Sequence, residues 1–416
     1  MAGALQQPVR EPVTPRVLEK SVWAGANLTS FGFASDALKE LADIALSAKQ
    51  IRRMTTQVGG DRVAERRRMV EAFAAKPLMQ RTTPKPGVTP PEVGVVMIDN
   101  GTHQRRDQFQ NPAADTHWKQ ETGGLVLSMS SAEHDADPCP DLPGWLVQSA
   151  VVAEIAGLAK PEEQPEETNE DNAETSALSA SSSESSESLD ASDRGFSWTP
   201  QVVSREVIAT TDTAAAGRHL EWLAWETGVT AAERQALVGD GARSIWNIHK
   251  KHFSRMTGIL DLMHGLSYAY RAAAVRDDPG LYRHWATAIW QGRVGDVIDE
   301  LEQIQTEVGP PPKDATADDP RQRIDRALTY YRFHRSRMNY PAYRKRGLPI
   351  TSSLMESAIK QINQRIKGTE KFWNRETAEG VLKLRADSLS DSRPLDKFWT
   401  RWRKNQSGTN RYRNAA

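Results

Sequence analysis

The apolar and polar positions of the chain follow both the two-residue period of strands and the longer period of helices, which predicts the mixed α/β class. Residues 93–99, VGVVMID, are apolar and β-branched, and an alternating segment, THQRRDQF, follows them after an Asn-Gly pair. A third apolar run, GGLVLSM, begins at residue 123. Asn-Gly between two strand-like runs is a strong hairpin signal. We therefore predict three strands here, with a turn at Asn100 and Gly101.

Farther along the chain, helical and strand-like segments alternate. Short strands are predicted at 235–239, which reads QALVG, and at 258–264, which reads GILDLMH. A Pro-rich segment, GPPPKDATADDP at 309–320, is predicted to connect two helices. The helical periodicity predicts helices at 214–227, 242–253, 352–367 and 375–388 and a long helical block at 266–338.

The N-terminal part, from residue 34 to residue 73, is predicted to form three short helices, with Ser35 and Ser47 as N-caps and Gly59-Gly60 as a stop. The first two helices form a helix-turn-helix candidate. Its predicted apolar face consists of Leu38, Leu41, Ile44 and Ala45, and its predicted DNA contacts are Lys49, Arg52 and Arg53. A short helical hairpin with a solvated basic face explains the same pattern, and the sequence leaves both readings open.

The composition changes this picture in two ways. Only 38% of the 416 residues are apolar and no apolar run approaches the roughly 20 residues of a membrane span, so no membrane partner is expected. The first residues lack the features of a secretory signal, and we expect a cytoplasmic, nucleoid-associated protein. A single cysteine, Cys139, excludes a disulfide framework and a zinc site built from several thiolates.

The net charge of zero conceals a strong segregation of charge along the chain. Residues 321–416 hold 23 Lys or Arg against 8 Asp or Glu, and residues 1–90 hold 14 against 8. Residues 160–194 hold 2 basic and 11 acidic residues, with many serines and no aromatic residue, which predicts a disordered linker at 160–197. The two basic ends indicate a polyanion-binding surface. Solvated helix faces remain the plain alternative.

Three acidic residues occupy positions that suit a metal site. Asp99 and Asp240 end predicted strands, and Glu356 lies near the start of a late helix. Ligands collect beyond strand ends in open α/β sheets, and bunched carboxylates are tolerated when a divalent cation neutralises them. Two Mg²⁺ or Mn²⁺ ions roughly 3.5–4 Å apart would suit phosphoryl displacement. Taken singly, each acid also fits a plain role, as a turn residue, a helix N-cap or a first-turn partner of the helix dipole.

Five segments of the chain together resemble a known family. They are AKQIRRMTTQVGGDRVAERR, VMIDNGTHQRRD, VGDGARSIWNIHKKHF, GILDLMHGLSYAY and YRKRGLPITSSLMESAIKQINQRIKGTEKFWN. In these segments the chain resembles the DDE-class insertion-sequence transposases, in the branch akin to Mutator-type and related bacterial elements. The resemblance implies a ribonuclease-H-like mixed sheet with an α-helical insertion and an N-terminal helix-turn-helix-like module.

The same resemblance implies a catalytic centre. Asp99, Asp240 and Glu356 match the metal-binding triad, with Mg²⁺ or Mn²⁺, as two ions, as the cofactor. Asp261 and His264 match an Asp-x-x-His element that sits beside the active site in such enzymes. From the spacing alone, Asp261 is equally well explained as a strand-end residue that caps a helix. The implied activity is metal-dependent cleavage and strand transfer of double-stranded DNA at element ends and target, by a homo-oligomer assembled on DNA.

The resemblance divides the chain into six parts. They are an N-terminal DNA-binding module at 1–90, the first part of the core at 91–159, the linker at 160–197, the second part of the core at 198–264, the helical insertion at 265–345, and the basic C-terminal helices at 346–416 that carry the last acid.

Basic and aromatic residues follow Glu356 closely and are predicted to contact DNA. They are Lys360, Arg365, Lys367, Lys371 and Trp373. Cations hold phosphates and a ring stacks on an unpaired base, although packing of Trp373 in the core is the plain alternative. Lys367 and Lys371 are expected on backbone phosphates and Arg52 and Arg53 at base edges.

Two other functions remain open at this stage. One is a transposase-derived DNA-binding regulator without catalysis, and the other is a metal-dependent nuclease of the same fold.

Overall fold

The structure, a computed structural model, describes residues 13–110, 116–158, 198–276, 278 and 280–406. The strands are β1 (Val93–Arg105), β2 (Trp118–Ser130), β3 (Gln201–Thr210), β4 (Arg234–Gly239), β5 (Thr257–Leu260) and β6 (Phe372–Trp373). The helices are α1 (Pro15–Asn27), α2 (Phe31–Ala42), α3 (Ala48–Ala74), α4 (Leu78–Thr82), α5 (Arg106–Phe109), α6 (Ser149–Leu158), α7 (Thr213–Glu226), α8 (Arg243–His252), α9 (Leu262–Ala273), α10 (Leu281–Trp290), α11 (Val294–Val308), α12 (Pro320–His334), α13 (Tyr340–Lys345), α14 (Ser353–Ile366), α15 (Arg375–Leu389) and α16 (Pro394–Gln406).

One mixed sheet organises the molecule. Its strand order is β3-β2-β1-β4-β5, and the short β6 pairs with the far end of β1. β2 runs antiparallel to β1 and β3, whereas β4 and β5 continue parallel to β1. Helices cover both faces, since Gly123 on one face of β2 contacts α14 and Gly124 on the other contacts α7. The predicted α/β class is therefore confirmed.

The predicted hairpin turn at Asn100 and Gly101 is wrong. Both residues lie inside β1 and pair with Thr122 and Glu121 of β2. The side chain of Asn100 accepts a hydrogen bond from Thr122 at 3.0 Å and donates one to Ser244 at 3.3 Å. These tertiary partners satisfy the asparagine in an extended backbone and override its local preference for a turn. The segment THQRRDQF is accordingly the end of β1 followed by α5.

The third strand of the sheet, β3, was not among the predicted strands. Its first residues are exposed or half-buried and only the last five are buried. Polar residues at 204–206 interrupt the apolar alternation there, and this conceals the strand from a periodicity argument.

Most of the later elements are confirmed within one or two residues. They are α7, β4, α8, α14 and α15. The block predicted at 266–338 is helical, but α9 begins four residues earlier, at Leu262, and α12 ends at His334. The Pro-rich segment is a connector, as predicted, and the last of its prolines, Pro320, begins α12. β5 ends at Leu260, so only the first part of GILDLMH is strand and the rest begins α9.

The predicted N-cap of α3 is confirmed, whereas the predicted N-cap of α2 is wrong. Ser47 is an N-cap, as predicted, and forms a capping box with Gln50. Ser35 is not, because Ser30 caps α2 and the Ser35 hydroxyl donates to the carbonyl of Leu46 instead. The predicted apolar face of α2 is also partly wrong. Leu38 is buried against Ile51 in a small apolar cluster, Ile44 is half-buried, and Leu41 and Ala45 are exposed.

The predicted stop at Gly59-Gly60 is wrong, because α3 runs through both glycines for 27 residues. The reason lies in the packing of α3 against α15. A Cβ on Gly59 would lie 2.8 Å from the backbone of Gly380, so the two helices cross with their backbones in close contact. Gly59 is therefore a packing residue, and the N-terminal helices pack directly on the C-terminal part of the chain.

The predicted linker at 160–197 lies outside the described residues. None of the described helices has the length and apolar composition of a membrane span.

The two adjacent glycines of α3 make a matched test of this crossing. We expect Gly59→Ala to lower the free energy of unfolding by about 1–3 kcal/mol, because the added methyl meets the Gly380 backbone. Gly60 has nothing within 4 Å of a Cβ position, so Gly60→Ala should raise stability by roughly 0.5–1 kcal/mol. Urea unfolding of both variants checks the prediction, and effects of the same sign would contradict it.

Candidate functional site

The parallel pairing of β1 and β4 brings two of the predicted acids together. Ile98 pairs with Gly239 in the register of these strands. Asp240 is the first residue after β4, as predicted, whereas Asp99 lies inside β1, which continues to Arg105, and not at the end of its strand. Neighbouring strands lie roughly 4.8 Å apart, so the two acids occupy adjacent positions at one edge of the parallel pair. Alternation along β1 turns the side chain of Asp99 to the face of the sheet opposite to that of Ile98.

Helix α14 lies on that same face, directly beside Asp99. Gly123 of β2 is the antiparallel partner of Asp99. A Cβ on Gly123 would lie 2.5 Å from Cδ1 of Ile359 and 3.0 Å from Cε of Met355. Residues opposite each other in an antiparallel pair point to one face, so α14 covers the side toward which Asp99 points. Glu356 follows Met355 in the first turn of α14, and this packing brings the third acid to the same region.

The turn before α14 is held by a fully buried carboxylate, Asp261. Its Oδ1 accepts hydrogen bonds from the backbone N–H of His264 at 2.9 Å and from the ring Nδ1 at 3.2 Å. Its Oδ2 accepts from the backbone N–H of Ser352 and, at 2.7 Å, from the Ser352 hydroxyl. The N–H of Leu262 also donates to the carbonyl of Ile350 at 3.0 Å. Asp261 therefore caps α9, as one reading of the sequence predicted, and also fixes the residue from which α14 starts.

The Asp261–His264 pair carries its charges inside the protein. Burial disfavours the ionised form of Asp261, but hydrogen bonds from His264 and Ser352 outweigh it and lower the pKa of the carboxyl. Burial likewise disfavours protonated His264, but its hydrogen bond with Asp261 raises the pKa of the imidazole to about 9. The carboxylates of Asp240 and Glu356 add to this rise. The imidazolium is thus a resident positive charge among the acids.

Glu356 experiences the opposite influence. Burial, with the negative charges of Asp261 and Asp99, raises its pKa to about 7, although His264 and Lys360 oppose the rise. Because Glu356 responds to Asp99 and His264 responds to Asp240, the acids and the imidazole share one electrostatic neighbourhood. The balance at Glu356 favours its protonated form relative to a solvated glutamate.

The side chains fit a divalent cation in the kind of donor that they offer. Carboxylate oxygens are the ligands that Mg²⁺ and Mn²⁺ prefer, and a cation would relieve the repulsion by Asp261 and Asp99 that adds to the effect of burial on the pKa of Glu356. In the part of the chain that the structure describes, no three side chains of His, Cys, Asp or Glu are grouped closely enough to hold an ion. A metal bound by Asp99, Asp240 and Glu356 would therefore require their side chains to draw together.

The backbone around Asp240 is firmly placed. Its Oδ1 accepts from the N–H of Ala242 at 2.9 Å, and its carbonyl accepts from the hydroxyl of Tyr330 at 2.9 Å. The N–H of Asp261 donates to the carbonyl of Gly239 at 2.9 Å. The loop that carries Asp240 is thus held both by the sheet and by helix α12.

The predicted DNA contacts of the N-terminal helices lie on the surface. Lys49, Arg52 and Arg53 are exposed along the first turns of α3. They line a groove of about 550 Å³ between α3 and α15, which is completed by Met54, Thr56, Gln57 and Thr377. The structure therefore brings these three cations together beside the start of α15.

Of the predicted DNA contacts after Glu356, the three lysines reach the surface and the other two residues are buried. Lys360 and Lys367 are exposed, and the Nζ of Lys367 lies 5.9 Å from the ring centre of Trp118. Lys371 is half-buried, donates to the carbonyl of Gln364 at 2.9 Å, and has its pKa lowered by burial.

Arg365 and Trp373 are buried, which is not compatible with their predicted contact with DNA. The guanidinium of Arg365 donates to the carbonyl of Gly25 at 2.9 Å and lies 4.4 Å from the ring centre of Phe31. Trp373 is 6% exposed, and its ring nitrogen donates to the carbonyl of Ile366. Both side chains hold α1 and α2 against α14. Trp373 is therefore a core residue, which was the alternative to its predicted contact with DNA.

Sequence reasoning missed two residues that organise the site. Ser352 was predicted only as the first residue of a helix, and nothing local in the sequence points to its bond with Asp261 across 91 positions. Gly123 could have been found, because the pair Gly123-Gly124 begins the strand-like run GGLVLSM. A glycine inside a strand marks a place where another element approaches closely.

Comparison with models of known protein families gives no match, and comparison with curated proteins gives no relative. The function therefore has to be argued from the side chains of the site.

The bond between Ser352 and Asp261 is testable by stability. We expect Ser352→Ala to lower the free energy of unfolding by about 1–3 kcal/mol, since it removes a donor from a buried carboxylate. Ser353→Ala is the matched control at the next position, which is half-buried, and should change stability by less than about 0.5 kcal/mol. Denaturant unfolding measures both, and equal effects would show that the turn does not depend on Asp261.

Proposed function

We propose that this protein is a DNA transposase that cleaves DNA strands and transfers them with a divalent metal. One observation carries the proposal. The Ile98–Gly239 register and the contact of Gly123 with α14 converge Asp99, Asp240 and Glu356 on one region of the sheet from three distant parts of the chain. Three acids from separate elements are an arrangement suited to phosphoryl transfer.

The fold supports the same proposal. We infer that the mixed sheet is a ribonuclease-H-like core, with β1 to β3 antiparallel and β4 and β5 parallel to β1. The helices between His264 and Glu356 are the proposed insertion, which returns the chain to the sheet at α14.

In this proposal each residue has a defined task. Asp99, Asp240 and Glu356 hold Mg²⁺ or Mn²⁺, which when bound as a pair of ions stabilises the attacking and leaving oxygens at phosphorus. Asp261 and His264 are positioning residues, because they act on the acids through the turn at Ser352 and through their charges. In the first step water attacks the phosphorus at the element end and its 3′-oxygen leaves as a hydroxyl. In the second step that 3′-hydroxyl attacks a phosphorus of the target strand, and the 3′-oxygen of the target leaves.

The cationic groove at the start of α3 is the proposed contact with duplex DNA. Lys49, Arg52 and Arg53 offer three positive charges, with the hydroxyls of Thr56 and Thr377 in the same groove. Cations and hydroxyl donors suit phosphate oxygens, which supply most of the affinity of DNA-binding proteins. The proposal therefore puts Arg52 and Arg53 on backbone phosphates, and not at the base edges expected from the sequence.

We expect Asp240→Asn to abolish Mg²⁺- or Mn²⁺-dependent strand cleavage and to leave duplex binding intact. The asparagine oxygen still accepts from the N–H of Ala242, so the loop keeps its conformation while the metal loses a charged ligand. Asp135→Asn, at an exposed position, is the matched control and should cleave normally. Cleavage and binding of a labelled duplex are measured in parallel. Normal cleavage by Asp240→Asn would refute the site. Cleavage by the wild-type protein separates an enzyme from a regulator that only binds DNA.

The groove generates a second prediction. Replacing both Arg52 and Arg53 by Gln should weaken binding of duplex DNA and reduce its salt slope by about one unit for each phosphate that an arginine no longer neutralises. Arg283→Gln, an exposed arginine on α10, should change neither quantity. A salt titration of binding provides the slope, and an unchanged slope in the double variant would exclude the groove from the DNA contact.

A further inference from the structure

An exposed aromatic ring lies between two arginines at the junction of α8 and α12. The side chain of Phe333 is 45% exposed. The Cζ of Arg243 lies 5.6 Å from its ring centre, and the Cζ of Arg337 lies 5.3 Å from it. Among the residues of α8 and α12, both described in full, Phe333 is the only large apolar side chain that is so exposed.

The surroundings hold this ring in place. The guanidinium of Arg337 packs over the buried ring of Trp246 at 4.3 Å and donates to the carbonyl of Phe333 at 3.1 Å. His334 lies edge-on to Phe333, with ring centres 4.8 Å apart. A ring supported in this way loses little freedom when a ligand binds, which favours affinity.

The cluster lies beside the loop that carries Asp240. Tyr330 precedes Phe333 by three residues on α12, and its hydroxyl donates to the carbonyl of Asp240. A Cβ on Gly241 would lie 2.7 Å from the Tyr330 ring. Residues three apart on a helix are neighbours on its surface, and Arg243 reaches Phe333 from the first position of α8.

The charge around the ring is strongly positive. Residues 326–337 contain four arginines and no Asp or Glu. One of them, Arg332, pairs with Glu302 of α11, while Arg243 and Arg335 are also exposed. A ring on a cationic surface matches a nucleotide, which offers a stacking face and a phosphate together.

We propose that Phe333 is a platform on which one unpaired base of the DNA stacks, next to the site at Asp240, with Arg243 and Arg337 beside the flanking phosphates. The inference rests on the proposed function, because it takes DNA as the substrate, and it specifies that the bound DNA is unpaired at this position. An apolar protein partner fits less well, since a single ring among arginines offers it little apolar area.

The test compares three substitutions at one position. Phe333→Ala removes the ring, Phe333→Leu keeps apolar bulk without a π-face, and Phe333→Trp keeps a ring. Leu78→Ala, at an exposed apolar residue of α4, is the control. The probes are a short single-stranded oligonucleotide and a duplex, each with one 2-aminopurine, which is unpaired in the first and paired in the second. Binding and fluorescence quenching are measured without metal, so that neither depends on cleavage.

We expect the wild-type protein to quench the unpaired probe. Phe333→Ala and Phe333→Leu should both abolish the quenching and weaken single-strand binding roughly 5- to 100-fold, the range for one base stack. Phe333→Trp and the Leu78→Ala control should bind like the wild type, and duplex binding should change little in all four variants.

Three results would overturn the proposal. They are an unquenched probe with the wild-type protein, unchanged single-strand binding by Phe333→Ala, and full binding by Phe333→Leu, which would assign the ring to an apolar contact. If Phe333→Ala instead lowers self-association measured by sedimentation and leaves DNA binding intact, the ring is a subunit contact and the proposal is wrong. Failure of the proposed function is read separately, from the absence of metal-dependent cleavage by the wild-type protein, and failure of the proposed site from normal cleavage by Asp240→Asn.

Discussion

The arrangement of the candidate site depends on one buried carboxylate. Asp261 is fully buried and accepts four hydrogen bonds, two from His264 and two from Ser352. An ionised carboxylate without such donors is very costly inside a protein. Burial of Asp261 therefore depends on the turn that places the two donors of Ser352 against it. The end of β5 and the start of α14 are thereby joined across 91 positions of sequence. The position of Glu356, in the first turn of α14, is set by this junction.

Close backbone contacts supplement that bond and set the distances. Gly123 lets Met355 and Ile359 of α14 settle onto β2 beside Asp99, and Gly59 lets α3 cross α15 at the Gly380 backbone. Any side chain at these glycines would push the helix outward. The absence of a side chain at Gly123 therefore lets α14, which carries Glu356, approach the strand beside Asp99.

Local sequence was sufficient for the elements whose pattern reflects their own burial. The segments α7, β4 and α8 and the two helices α14 and α15 were predicted within one or two residues, because their periodicity agrees with their packing. Asp240 follows the end of β4 as predicted, whereas the predicted strand end at Asp99 is wrong because β1 continues to Arg105.

The errors occur where a distant partner decides. Asn100 stays extended because Thr122 and Ser244 bind its side chain, and Gly59 stays helical because Gly380 lies against it. Trp373 is buried because α1 and α2 fold over it with Arg365. No window of neighbouring residues contains these contacts, so a periodicity argument has no access to them.

The crossing of α3 on α15 has a consequence for geometry. Arg365 and Arg385 bind the carbonyl of Gly25 and the side chain of Asn27, so the α1 helix is fastened to α14 and α15 as well. The cationic groove on α3 and the acids at α14 therefore belong to one packed unit of the described chain. Such a unit keeps the distance between the groove and the acids constant. If the groove grips duplex DNA, the number of base pairs from the gripped phosphates to the cleaved bond is set by helix packing and should be the same at every end that it processes.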